Sequence, residues 1–587
     1  MESNHKRMGL KKIIKNVFRL MNMHKGKFIF TGICTIISVI FTIISPILLG
    51  DAINIIIEGS ANIINNTGTI DFNALLRILT LAAATYIITK VFDYLKRYYL
   101  SNTTTEIIYT LREELANKVL QLPLSSVDEN KRGDILSRFT LDLSIVNQAL
   151  LSSFLQTTTS IIRIAGTLIM MLVINTWMTL TIILLTLISS GLIGIAIKIS
   201  QKYFAKQMDI QGSVTGQIEE IFSAQEVIRS LNYEENAKNE FNQNVDEWCK
   251  YEWKSKFISS LNNPIIDLSS NIGYVLIAVM GGILVLQGTM SVGRVVTFFE
   301  YLKSFTSPIH SIIEIIPEIQ AGIESIDRIF EFLEKDDEEN PSTKELKEFK
   351  DEISFENVSF GYTEDKKIIN DFSLTVKKGQ KIAIIGETGA GKTTLIKLLM
   401  RLYDIDSGEI KIDGVNINEY DKNSLRSFMG MVLQEVWLFS DTIEENIRYG
   451  NLDSTEEDII NASKQANTDY FIKQLPEGYQ TILEEDADNI SQGKKQLLTI
   501  ARAIISKKEI LILDEATSNI DSRTEFFIQK AMDKLMENKT SFIVAHRLST
   551  IRNADKIIVL GRGGLIEEGT HDELMAQKGY YYNILKN

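Results

Sequence analysis

The sequence predicts two fold classes in one chain: an α-helical membrane domain, then an α/β domain built around a phosphate-binding loop. Three observations carry this. A mean hydropathy of +0.03 is high for a chain that is 23% charged, as when an apolar and an ionic part are averaged together. The change falls near residue 330, with long charge-free runs before it and a Glu/Lys/Asp-rich sequence after it. Beyond it, Lys381-Ile382-Ala383-Ile384-Ile385 reads as a buried strand, Gly386 to Lys392 as a glycine loop, and Thr394 to Met400 as a helix. At 587 residues the chain exceeds one hydrophobic core. We divide it into an amphipathic helix at 1–26, a six-helix membrane domain at 27–330, a linker at 331–350 and a nucleotide-binding domain at 351–587.

Lys11 to Lys27 is basic and interleaved with Val17, Phe18, Leu20 and Met21, the pattern of a helix at a membrane surface. No short apolar core with a cleavage site follows, so no cleavable signal is expected. Phe28 to Leu49 carries no charge and is long enough to cross a bilayer. Similar runs at about 75–92, 151–174, 177–197, 265–286 and 292–316 bring the expected spans to six. The second and sixth are interrupted, by Arg77 and Lys90 and by Arg294, Glu300 and Lys303. Lys and Arg are absent from 28–76, 164–197 and 257–293, which hold three short exits, whereas the two long inner segments are basic. The positive-inside rule then places both termini and the second domain in the cytoplasm, beneath the cytoplasmic (inner) membrane. The inner segments, with Gly133-Asp134 and Gln217 to Ile228, read as membrane helices that continue past the bilayer and turn back. Arg163 and Asp267 are ionisable residues inside expected spans, where charge is costly and tends to face a cavity or a partner; snorkelling at a helix end is the alternative.

Net charge of −13 argues against a nucleic-acid partner, which requires a basic face. Cys34 lies in an apolar run and Cys249 in a charged one, so no structural disulfide is expected.

The linker reads from Glu334 to Pro341, and Ile353 to Phe360 alternates as a strand ending at Gly361-Tyr362. The loop Gly386-Glu387-Thr388-Gly389-Ala390-Gly391-Lys392-Thr393-Thr394 matches Gly, four residues, Gly-Lys and Ser/Thr. Its glycines let backbone N–H groups turn around phosphates at a helix N-terminus, with Lys392 reaching the β- and γ-phosphates and Thr393 ligating Mg²⁺. A glycine turn that merely starts a helix is the bland alternative. About 120 residues later, Glu509 to Glu515 is an apolar strand ending in two carboxylates, Asp514 and Glu515. One suits holding Mg²⁺ and the other orienting and deprotonating water, the needs of nucleotide hydrolysis.

Between them, Ile490-Ser491-Gln492-Gly493-Lys494 and the stretch to Ala503 resemble the Leu-Ser-Gly-Gly-Gln signature of ATP-binding-cassette (ABC) proteins and its helix. With six spans ahead of one cassette, the chain resembles an ABC exporter half-transporter over nearly its whole length. The resemblance implies that Tyr362 stacks on adenine and that Gln434 senses Mg²⁺ and the membrane domain. It makes Ser518 to Asp521 the D-loop, Glu515 the general base and His546 the γ-phosphate switch. ATP and Mg²⁺ are the implied cofactors, with Gln434, Asp514 and Thr393 around the metal. Ser491 and Gly493 are implied to touch the γ-phosphate held by a partner chain. Gly133-Asp134 and Glu219-Glu220-Ile221 resemble the subfamily's intracellular loops.

The signature departs from the family pattern, since Gln492 replaces a glycine and Lys494 the closing glutamine, while Lys392, Asp514, Glu515 and His546 are intact. A weakened signature beside a full catalytic set resembles the catalytically intact subunit of bacterial heterodimeric multidrug-type exporters. Neutral drift in a homodimer is the alternative. The expected partners are a second half-transporter, the bilayer and a small amphiphilic substrate: drug-like molecule, lipid or peptide. A receptor or lipid-modifying enzyme with an ATPase explains this order of features less well.

Overall fold

A computed structural model of the chain describes residues 16, 19–129, 132–363, 366–433, 436–484, 487, 489–514, 520–545, 548–561 and 564–586. It divides into two compact units, Met1–Leu120 with Arg132–Lys335, and Gln121–Lys131 with Asp336–Asn587.

The first unit is helical: α1 (Lys25–Ile64), α2 (Phe72–Gln121), α3 (Phe154–Ile174), α4 (Thr176–Ser223), α5 (Glu234–Ser260), α6 (Asn262–Leu286) and α7 (Val292–Leu333). At 1.5 Å per residue, α1, α2 and α4, of 40, 50 and 48 residues, run about 60–75 Å, twice the roughly 30 Å of a bilayer core. Helices of that length exceed what a bilayer core requires. Among the described residues, five stretches are long and apolar enough to cross it: Lys25–Ile64, Phe72–Gln121, Gly133–Ile174, Thr176–Ser223 and Glu234–Leu286.

The sixth expected span falls in α7, which is long enough at 42 residues but is not among the stretches apolar enough to cross. Its apolar residues face the other helices instead. Phe298, Tyr301 and Leu302 are buried, in a core shared with Met171, Met178 and Ile277 of α3, α4 and α6. The turns follow local chemistry. Asn175 adopts an extended backbone that ends α3, and its side chain accepts from Met178 N at 3.0 Å to cap α4.

Burial in this unit runs opposite to that of a water-soluble protein. On α4 the outward face carries Trp177, Leu184, Leu187 and Ile195, each at least 60% exposed, while Thr179, Thr186 and Ser189 are buried. Such a continuous apolar surface would be costly in water and suits lipid. Helices α1 and α7 cross closely at a pair of glycines. A side chain at Gly50 would collide with Thr297, and one at Gly293 with the Gly50 carbonyl. That proximity lets Asn54 accept from Gly293 N (2.8 Å), Thr297 donate to Pro46 O (3.0 Å) and Tyr301 to Ile43 O (2.7 Å). Arg163 is half-buried on α3, with Nη2 donating to Ser304 Oγ at 3.2 Å, and Asp267 lies at the surface of α6. Of the amino-terminal stretch, Lys11, Val17 and Phe18 lie outside the described residues, and Leu20 is buried. Cys34 and Cys249 are free thiols.

The second unit is α/β. Strands β1 (Glu352–Phe360), β2 (Ile369–Lys377), β4 (Ser407–Ile412) and β5 (Val415–Asn416) form an antiparallel sheet in the order β2-β1-β4-β5. Strands β3 (Lys381–Gly386), β6 (Met429–Val432), β7 (Ile510–Asp514), β8 (Thr540–Val544), β9 (Lys556–Gly561) and β10 (Gly564–Gly569) form the second, in the order β10-β9-β3-β8-β7-β6. All pairings in it are parallel except β9 with β10. Both faces of this sheet are covered. Ile385, Leu511, Leu513 and Ile543 enter one apolar core, and the alternating Ile384, Ile510, Ile512 and Val544 enter the other. That explains why β7 and β8 read as unbroken apolar runs rather than alternating ones. Ahead of β1, Glu338 accepts from Arg426 (2.7 and 3.0 Å) and Lys422 (3.2 Å), and Phe349 is buried.

Candidate nucleotide site

The parallel strands direct their carboxyl ends to one edge of the sheet. There β3 runs into the glycine loop, and the loop opens α8 (Lys392–Leu399). Gly386, Gly389 and Gly391 all have positive φ, at 155°, 84° and 94°. A side chain at Gly386 would collide with the Leu560 carbonyl on neighbouring β9. The sequence therefore places glycine where backbone geometry and space both demand it. Ala390 is buried, while Glu387, Thr388 and Gly389 are exposed along the loop.

Lys392 is 9% exposed. Its amine donates to Gly386 O at 2.7 Å and Glu387 O at 3.0 Å, folded over the loop. Burial pushes the pKa of this lysine below its ordinary value, and the charge of Asp514 partly offsets the effect. Asp514 ends β7, two strands away from β3, and is 7% exposed. At the start of α8 the Thr393 side chain is exposed and that of Thr394 buried. A buried carboxylate and an open hydroxyl are the hard oxygen donors that Mg²⁺ prefers, so these residues fit that ion.

Tyr362 follows β1. Its hydroxyl lies 3.3 Å from Thr394 Oγ1, and its ring packs edge-on against Phe360 and Tyr403, both at 5.1 Å. The Lys397 amine approaches the rings of Tyr362 (6.0 Å) and Tyr403 (5.5 Å). An exposed aromatic thus stands beside the loop. Sequence reasoning missed Tyr403, and it also missed Tyr580, whose hydroxyl donates to Glu387 Oε1 at 2.9 Å. Neither sits in a local pattern; only the fold brings them to the loop.

Gln434, Glu515, Ser518, Asn519 and His546 lie outside the described residues. The strands that precede them, β6, β7 and β8, end at Val432, Asp514 and Val544 and run parallel to β3 within the same sheet.

Ser491 and Gly493 stand apart from this loop at the head of α9 (Gln492–Ile505). Ser491 is the exposed N-cap residue and makes no side-chain capping bond. Gly493 is buried, and a side chain there would collide with Thr524 of α10 (Ser522–Leu535), so close helix packing explains this glycine. Lys494 turns its amine over the Phe471 ring, 5.2 Å from the centroid.

Comparison with known proteins follows the same division. Residues 28–309 match the family model for the ABC transporter transmembrane region, and residues 369–518 match that for the ABC transporter. A fatty acid ABC transporter ATP-binding/permease protein of Mycobacterium tuberculosis is 39% identical over 89% of this chain and 83% of its own length. An uncharacterized ABC transporter ATP-binding protein of Bacillus subtilis is 36% identical over 98% of this chain and 94% of its own. An ATP-dependent lipid A-core flippase of Acinetobacter baylyi is 34% identical over 83% and 85%.

Proposed function

This chain belongs to the ABC transporters, as a multi-pass membrane region and an ATPase fused in one polypeptide, and from that premise we propose that it exports an amphiphile. The substrate is drug-like, lipid or peptide, and it leaves the cytoplasmic membrane by alternating access between two half-transporters. The observation that carries the proposal is the glycine loop with Lys392 and Asp514, joined in one chain to helices whose apolar faces suit lipid.

ATP is the substrate of the cassette. Lys392 exchanges its two loop carbonyls for the β- and γ-phosphate oxygens, and the positive-φ glycines present backbone N–H groups to the same phosphates. Tyr362 offers its exposed ring to the adenine. Thr393 and Asp514, with Gln434, hold Mg²⁺, which when bound neutralises charge on the phosphate oxygens. Glu515 takes the proton of the attacking water and His546 holds the γ-phosphate. Closure of the partner's signature over that phosphate, and of Ser491 and Gly493 over the phosphate the partner holds, then draws the two cassettes together. The inner hairpins near 128–133 and 217–225 carry the motion to the spans, turning the cavity outward. A sixth crossing by 292–316, within α7, completes each half.

The departures at Gln492 and Lys494 support a heterodimer with one consensus and one degenerate ATP site. A second reading, the homodimer, draws support from the Lys494 amine, which is held over Phe471 and so leaves the Ser491 turn unobstructed. Expressing this chain with and without a candidate partner half-transporter separates them. A heterodimer predicts slow ATP turnover by the chain alone and full turnover by the pair. Full cooperative turnover by the chain alone establishes the homodimer.

A further inference from the structure

Within the helical unit, α2, α3 and α7 line an open cavity of about 500 Å³, in the range of small-molecule sites. Three basic residues line it: Lys96, Arg97 and Arg163. The Lys96 amine is already committed to Asp93 at 2.7 Å, and Asp93 also accepts from Ser38 at 2.6 Å. Arg97 has no acidic partner among the described residues. Arg163 lies eleven residues before Ile174, the last residue of α3, well inside its span. Its hydrogen bond among the described residues is to the Ser304 hydroxyl, its buried Nε has no hydrogen-bond partner, and the Asp93 carboxylate that pairs with Lys96 also acts on its charge. Opposing these cations, Glu318 accepts from the lining residue Ser152 at 2.8 Å, so it meets the cavity through a hydroxyl. The lining also offers the hydroxyls of Thr159, Ser160, Ser307 and Ser311, each able to donate to an oxyanion.

A guanidinium inside a membrane span is costly, and one with an unpartnered N–H costs more. The three cations outnumber the carboxylates near them, Asp93 and Glu318, so that surplus and the hydroxyl donors complement a carboxylate or a phosphate and repel a cation. Leu151 and Leu155 add an apolar side to the same wall. Ser152 and Leu151 come from a π-helical turn, Ala149–Ser153, which shifts the register of the helix entering α3. Such turns concentrate at functional sites.

We infer that this cavity binds the anionic headgroup of a single-chain amphiphile, with Arg163 and Arg97 as the headgroup's counter-charges. This rests on the exporter reading and narrows its substrate class. The test is equilibrium binding of a dansylated undecanoate to the full-length chain in nanodiscs without ATP, read by probe fluorescence. Saturable binding is expected, displaced by dodecyl phosphate but not by dodecyltrimethylammonium. Arg163→Gln and Arg97→Gln should each weaken it about tenfold or more, the loss expected of one charge-assisted hydrogen bond, while Arg163→Lys keeps most of the affinity. Displacement by the cation as readily as by the anion overturns the inference, as does equal loss in Arg163→Gln and Arg163→Lys, which would mark a packing role. Inorganic phosphate competing as well as dodecyl phosphate also overturns it, since the site would then take a bare ion. Because no ATP is present, failure of the exporter reading would appear separately, as binding that survives without ATP-driven transport.

Discussion

Lys392 gives the nucleotide site a pH dependence whose sign can be worked out. Its side chain is nearly enclosed, its amine is bonded to two loop carbonyls, and burial holds its pKa below the ordinary lysine value of 10.5. Triphosphate binding requires the protonated amine. Above the ligand-free pKa, each further pH unit therefore weakens ATP binding about tenfold, or about 1.4 kcal/mol. The stability of the ligand-free protein moves the other way. Between the folded pKa and the unfolded value the unfolded chain holds more protons, so this lysine's contribution rises with pH through that window and is lost as pH falls through the folded pKa. Calorimetric titration with a non-hydrolysable ATP analogue, from about pH 7.5 to about pH 11, reads the first effect directly. Wild type should lose affinity with rising pH. Lys392→Met should be weaker by about 1.5–3 kcal/mol at the low end and flat thereafter, since the charge-assisted bond is gone at every pH. A wild-type profile as flat as that of the variant would refute the assigned contact.

Gly386→Ala meets both a positive φ and the Leu560 carbonyl. It should destabilise the cassette by about 1–3 kcal/mol and abolish nucleotide binding, measured by thermal melting with and without ATP. Gly293→Leu drives a side chain into the Gly50 backbone. It should separate α1 from α7 at a cost of about 1–3 kcal/mol or more, seen as a lower melting temperature in detergent and lost monodispersity, with nucleotide affinity unchanged.

The parts legible in the sequence were those written as contiguous pattern. Lys381–Ile385 before the loop and Ile510–Asp514 had to be apolar on both faces because two cores flank the sheet, so they read as buried strands. Five spans were legible because lipid tolerates their exposed leucines and isoleucines. α7 was only half legible. Its apolar residues point at neighbouring helices, which frees its remaining positions to carry Arg294, Glu300 and Lys303. Contacts between distant segments left no trace at all. Tyr403 beside Tyr362, Tyr580 on Glu387 and Phe471 beneath Lys494 each depend on chain crossings that no local spacing encodes. The Gly493 result shows the converse hazard. A glycine expected to face a partner's phosphate also has a packing reason inside its own chain.

The central claim is that hydrolysis at this cassette drives an amphiphile across the membrane. It is tested most directly in proteoliposomes holding the assembled transporter, by following ATP-dependent accumulation of a fluorescent amphiphile alongside phosphate release, in wild type and Glu515→Gln. Wild type should accumulate substrate in proportion to ATP hydrolysed. The variant should bind ATP normally yet lose turnover and accumulation together, by orders of magnitude, as expected when a positioned base is removed. Near-normal turnover in Glu515→Gln would contradict the assigned base, and brisk wild-type hydrolysis without accumulation of any amphiphile would contradict the exporter.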